Sequence, residues 1–186
     1  MYSTGTISSY NGWYLIFYGA SDKISFANWI TGGTSYYRHW TLATAINLYA
    51  WNHIALVRSG SNFDLYINGI KQGYTTTGTY AISNQSTPLY IGSCPPCNDL
   101  NGYIDEYRIS NVARWTSNFT PPTAEYEYDP LDTTTKLLMH CNDLSTVATG
   151  QTLTVNNVLL GTSQYGKFGR PDSLTMTSFN GLKTVD

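Results

Sequence analysis

The dipeptide Asn68-Gly69 stands between two short apolar-rich runs, residues 63–67 and residues 70–73. Both of its residues tolerate positive φ, as a type I′ turn requires, so the sequence predicts a tight β-hairpin here. A hairpin commits its flanks to antiparallel pairing. The preceding run, residues 51–58, enters the same arrangement through the turn-forming Ser59-Gly60-Ser61-Asn62. Further runs of strand character fall at 12–18, 23–27, 89–91, 102–109, 135–141, 152–155 and 173–177, separated by clusters of Gly, Asn, Ser and Thr. That recurrence of short strands and turn signals is the signature of an all-β sandwich. No segment carries the period of a normal-length amphipathic helix. Residues 111–115 are expected to make one helical turn, residues 32–48 have weak periodicity, and Pro121-Pro122 ends a unit because neither proline can donate to a ladder.

Composition narrows the function classes. Only 12% of residues are charged, against about 25% in ordinary domains. Ten basic and twelve acidic residues leave a net charge of -2, which excludes the basic stripe of a nucleic-acid binder. Aromatic residues make up 15% of the chain, enough with the β-branched residues to exclude a disordered chain. The sequence has neither a run of about 18 apolar residues nor a basic-then-apolar leader, so membrane insertion is not expected. The length suits one large β domain, or one domain plus a fragment.

The side chains that carry chemistry are sparse. Cys94, Cys97 and Cys141 are an odd number, which argues against a disulfide framework. A zinc set could be drawn from Cys94, Cys97, His140 and Cys141, but neighbours on a strand point to opposite faces. Two loop thiols or a local disulfide is the simpler reading, and no metal residues are assigned. His53 shares a strand face with Trp51, Ala55 and Val57, the setting of a packed core histidine. No nucleophile motif such as Gly-x-Ser-x-Gly lies near it.

The segments "WNHIALVRSGSNFDLYINGIKQG", "YIGS" and "LNGYIDEYRISNVARWTSNFTPP" resemble the laminin-G-like jelly rolls of the concanavalin A-like superfamily. Trp51, His53, Arg58, Tyr66, Asn68, Gly69, Gly102, Asp105, Glu106, Arg108 and Ile109 fall in the family order. The resemblance covers roughly residues 10–124, and its "NVARWTSNFTPPT" tail is similar to the variant common in phage virion and tail proteins. It implies a jelly-roll sandwich of two antiparallel sheets. The ends depart from the pattern. The chain starts almost inside such a domain, whereas "TTTKLLMHCNDLS", "TLTVNNVLLGTSQYGKFGRPDSLTM" and "SFNGLKTVD" resemble the opening of another. The expected organisation is therefore a core over residues 1–124, a connector over 125–134, and strands over 135–186 that complete either the same sandwich or a neighbouring chain's. Unpaired sheet edges are normally covered, so one completion or the other is expected.

Glucanases of this superfamily need carboxylates on one strand face. Asp105 and Glu106 are adjacent and would point to opposite faces, with one capping a turn or pairing with Arg108 or Arg58, so no catalytic residues are assigned. The resemblance leaves room for calcium at Asp99 or Asp22, although no Asp-rich loop with ligand spacing is present. A sugar would be held by aromatic faces and by Asn or Asp hydrogen bonds. The candidates are Trp29, Tyr36, Tyr37, Trp40, Asn98 and Asp99, with packing of the sheets as the competing role for the aromatics. The first functional expectation is a non-catalytic structural or assembly protein of a phage particle. Its location would be the virion or the extracellular space, its partners copies of itself, other virion proteins or cell-surface glycan. The alternative is a carbohydrate-binding, lectin-like module of an extracellular protein.

Overall fold

In the computed structural model, the described residues are 2–4, 12–18, 23–30, 34–42, 46–47, 49–74, 89–92, 100–127, 129–141, 152–154, 159–162, 172–177 and 182–185. They form fifteen strands and no helix: β1 Tyr2–Thr4, β2 Gly12–Tyr18, β3 Lys23–Ile30, β4 Thr34–Thr41, β5 Ile54–Ser59, β6 Asn62–Ile67, β7 Ile70–Lys71, β8 Leu89–Ile91, β9 Asn101–Ile104, β10 Tyr107–Ser110, β11 Thr135–Met139, β12 Thr152–Thr154, β13 Leu159–Thr162, β14 Asp172–Thr177 and β15 Leu182–Val185. Every ladder resolved residue by residue is antiparallel. The helical turn expected at 111–115 is a run of bends instead. The weakly periodic 32–48 segment contains β4, a full strand, because its register with β3 is enforced by tertiary pairing rather than by local alternation.

The chain divides into two compact units. One comprises Ser3–Thr87 and Val112–Pro121, the other Met1–Tyr2, Pro88–Asn111 and Pro122–Asp186. Residues 88–111 group with the C-terminal strands.

In the first unit, β2, β3 and β4 form one sheet and β5, β6 and β7 another. Ile24, Phe26 and Trp40 from the first sheet cluster with Phe63, Leu65 and Ile67 of β6, and Trp13, Leu15 and Phe17 of β2 pack against them. Phe26 stacks on Phe63 at 5.0 Å between ring centroids. Alternate residues of each strand thus fill one inter-sheet layer, the geometry of a sandwich. β6 lies between β5 and β7 and is buried on both faces. Its Tyr66 joins Ala55 and Val57 in a second cluster, against which Trp115 and Phe119 pack. The 112–121 segment is therefore the cover of the outer β5–β6 face.

In the other unit, β10 pairs with β11 so that Tyr107 faces Met139 and Ile109 faces Leu137. These residues, with Ile91 of β8 and Cys141, build that unit's core. β14 pairs on one side with β13 and on the other with β9, and β15 bridges β12 and β8. The strands from the C-terminal third thus find partners in residues 89–110 of the same chain.

Candidate functional site

The predicted hairpin forms with Asn68 at φ 50° and Gly69 at φ 80°. Its first residue reaches back to His53, fifteen positions earlier in the chain. The Asn68 amide N–H donates to the His53 carbonyl at 2.8 Å, and the Asn68 side-chain oxygen accepts the His53 N–H at 2.8 Å. The Asn68 side-chain nitrogen also donates to the Asn52 side-chain oxygen. The His53 ring stands edge-on to Trp115 and Phe119, at 5.5 and 5.4 Å. It is a packed aromatic, as its strand face suggests.

Of the sugar-contact candidates, Trp40 is fully buried in the inter-sheet core, so its ring offers no exposed face for stacking. Trp29, Tyr36 and Tyr37 occupy strand positions whose partners are Ser35, Asn28 and Ala27. The register brings all three to the same end of the β3–β4 hairpin. Their side chains, and Asn98 and Asp99 altogether, lie outside the described residues, as do Cys94, Cys97 and Asp22.

Asp105 and Glu106 depart from the strand expectation. The predicted 102–109 strand is broken between β9 and β10, and Glu106 sits in the break with φ 51°. Strand alternation does not apply across a left-handed residue, so the two carboxylates are not held on opposite faces of one strand. Asp105 accepts the Glu106 N–H at 3.0 Å, the local turn-capping role anticipated for one of the pair. The Glu106 carboxylate is held by two other groups. Its Oε2 accepts the Tyr126 N–H at 2.8 Å and its Oε1 lies 2.7 Å from His140 Nδ1. Arg108 stacks its guanidinium 3.7 Å from the Tyr126 ring centroid, and Arg58 donates to the Gly60 carbonyl.

The result is a cluster that sequence reading missed. Donor atoms of Glu106, Glu125 and His140 all lie within 4.8 Å of one another. The Glu106 side chain retains 9% exposure and that of His140 19%. Burial raises the Glu106 pKa, while the Tyr126 N–H and His140 pull it back down. The chain that follows β11 leaves the ladder at His140, and Cys141 adopts φ 61°. The Cys141 thiol is buried and pushed up to about 12 by that burial. The stretch expected to be a connector is therefore tied in by Glu125, Tyr126 and Asp132, whose carboxylate caps Thr134 and Thr135. A sequence signal existed in the Glu-Tyr pairs at 125–128, but their distance from Glu106 along the chain concealed it.

One family model matches residues 2–117, that of a laminin-G-like domain described as the concanavalin A-like lectin/glucanases superfamily. No curated protein and no solved structure matches the chain.

Proposed function

Because the chain belongs to the concanavalin A-like lectin/glucanases superfamily, we propose that it is a non-catalytic recognition module that binds carbohydrate. The β3–β4 register carries the reading: it brings Trp29 and Tyr37 to diagonal positions on one face at the hairpin end, with Tyr36 on the opposite face. Such a diagonal aromatic pair suits the C–H face of a sugar ring, with Ser35, the register partner of Trp29, as a polar position on the same face. The absence of a catalytic role is part of the proposal. Both oxygens of Glu106 are engaged by donors of its own chain, which is a poor arrangement for protonating a glycosidic oxygen. The test is a glycan array, followed by Trp29→Ala and Tyr37→Ala variants on any positive glycan. Binding lost in the variants supports the site. Binding unchanged in both refutes it, and no binding on a broad array refutes the lectin reading.

A second reading, a homo-oligomeric structural component of a phage particle exposed on the virion, draws on exposed apolar residues of one unit. Tyr49 is 98% exposed, and Ile54, Ile70 and Tyr74 are also exposed. Tyrosine is enriched where proteins meet. Light scattering on a size-exclusion column separates the two readings. A mass near 20.7 kDa favours the self-contained lectin, and a ring or filament that survives dilution favours the assembly protein.

A further inference from the structure

The geometry points to a divalent transition-metal site, of zinc type, built by Glu106, Glu125 and His140. The three residues come from separate parts of one unit: the β9–β10 break, the 122–127 segment and the end of β11. Their donor atoms already lie within 4.8 Å of one another. Ligand atoms around an ion at about 2.0–2.2 Å stand about 3–4 Å apart, so closing on an ion asks for side-chain adjustments below about 1 Å.

Three further observations bear on the site. The Tyr126 N–H fixes the Glu106 carboxylate from behind at 2.8 Å, the kind of outer hydrogen bond that orients a metal ligand. Two ionised carboxylates and a neutral imidazole carry two negative charges, which one divalent ion cancels. The side chains of Glu106 and His140 are largely withdrawn from water, so that charge is poorly screened by solvent. The guanidinium of Arg108, stacked on Tyr126, is a nearby group that works against a cation.

An imidazole with two carboxylates suits zinc or manganese and is a poor set for calcium, which takes oxygen ligands throughout. In the metal-free protein a proton lies between His140 Nδ1 and Glu106 Oε1. The ion takes its place on the nitrogen, and the proton leaves to solvent. Three protein ligands leave a further position for water. Since Glu125 belongs to the segment between β10 and β11, the bound ion staples that segment onto the ladder.

The experiment is a titration of the full, tag-free chain with Zn2+, read by calorimetry and by the melting temperature, with Ca2+ in parallel. One equivalent of Zn2+ is expected to bind and to raise the melting temperature, while Ca2+ does neither. Glu125→Gln should weaken Zn2+ binding by at least about tenfold. Cobalt substitution into the unmodified chain gives a second readout that no folding defect can blur: the absorption should lack thiolate-to-metal charge transfer. Strong thiolate charge transfer would assign the ion to Cys94 and Cys97 and overturn the proposal. Undiminished Zn2+ binding in Glu125→Gln, or no binding to the unmodified chain, would overturn it as well.

Discussion

The backbone carbonyl oxygen of Phe119 lies 1.8 Å from where a Cβ on Gly69 would stand. The same pair is joined by a hydrogen bond from the Phe119 N–H to the Gly69 carbonyl at 3.0 Å, and the Lys71 N–H donates to the side-chain oxygen of Asn118. The hairpin turn is thus docked on the 112–121 segment through a glycine with no room for a side chain. Gly69 combines that close approach with φ 80°, whereas Gly60 has φ 61° and nothing within 4 Å of its Cβ position. Gly69→Ala should therefore cost about 3 kcal/mol or more, because backbone must move in addition to the strain. Gly60→Ala should cost about 1 kcal/mol, from the left-handed conformation alone. Urea unfolding of both variants checks the difference, and equal losses would mean that the docking is not rigid.

Trp115 and Phe119 stack at 4.2 Å with their planes 9° apart, and both cover Ala55, Val57 and Tyr66. Removing one ring uncovers a buried sheet face. Phe119→Ala is expected to cost about 2–4 kcal/mol, with Trp115→Ala comparable. Because the rings share one contact, the double variant should cost less than the two single losses added together. Chemical denaturation of the three variants measures that coupling.

Cys141 gives a pH dependence with a definite sign. Its ordinary value of 9.0 is raised to about 12 by burial, so the folded state holds the neutral thiol. The corresponding stability is fully present below pH 9 and falls as pH rises toward 12, with a limiting slope of about 1.4 kcal/mol per pH unit. Tyr107 is also raised by burial and adds to the loss above its ordinary value of 10.0. Cys141→Ala should flatten the first part of this alkaline slope. In the folded chain at pH 8, iodoacetamide should leave Cys141 unmodified, whereas denatured chain should react there. Mass spectrometry of the digested protein reads both outcomes.

The Lys71–Asp64 ion pair at 2.8 Å has a lysine side chain that is 43% exposed. Hydrogen bonding to Asp64 raises the Lys71 pKa, but solvent screens the pair. Lys71→Met should change stability by less than about 1 kcal/mol, and high salt should erase the difference. A larger loss in denaturant titrations would show that the lysine stem also packs.

Residues 12–18 and 89–91 are strands with the bounds that their apolar runs predict, and Asn68-Gly69 forms the expected turn. The spacing of His53 and Asn68 reflects bonds that close one hairpin, and such bonds between adjoining strands leave a pattern in sequence. β4, β13 and β15 leave no comparable mark, since each is defined by the strand that it joins and has little alternation of its own. The break at Asp105-Glu106 is hidden for a related reason. A left-handed glutamate inside a strand-like run has no propensity signal, and surrounding contacts must hold it there.

The all-β class, the antiparallel hairpins and the family can be read from the amino-acid order, because alternation, turn chemistry and spacing are properties of neighbours along the chain. It takes the folded packing to make Trp40 core, to pair residues 89–110 with the C-terminal strands, and to bring Glu106 to Glu125 and His140. Those are encounters between distant segments. Their residues carry no mark of one another until burial of the apolar faces forces the strands together and the turns bring their polar side chains into reach.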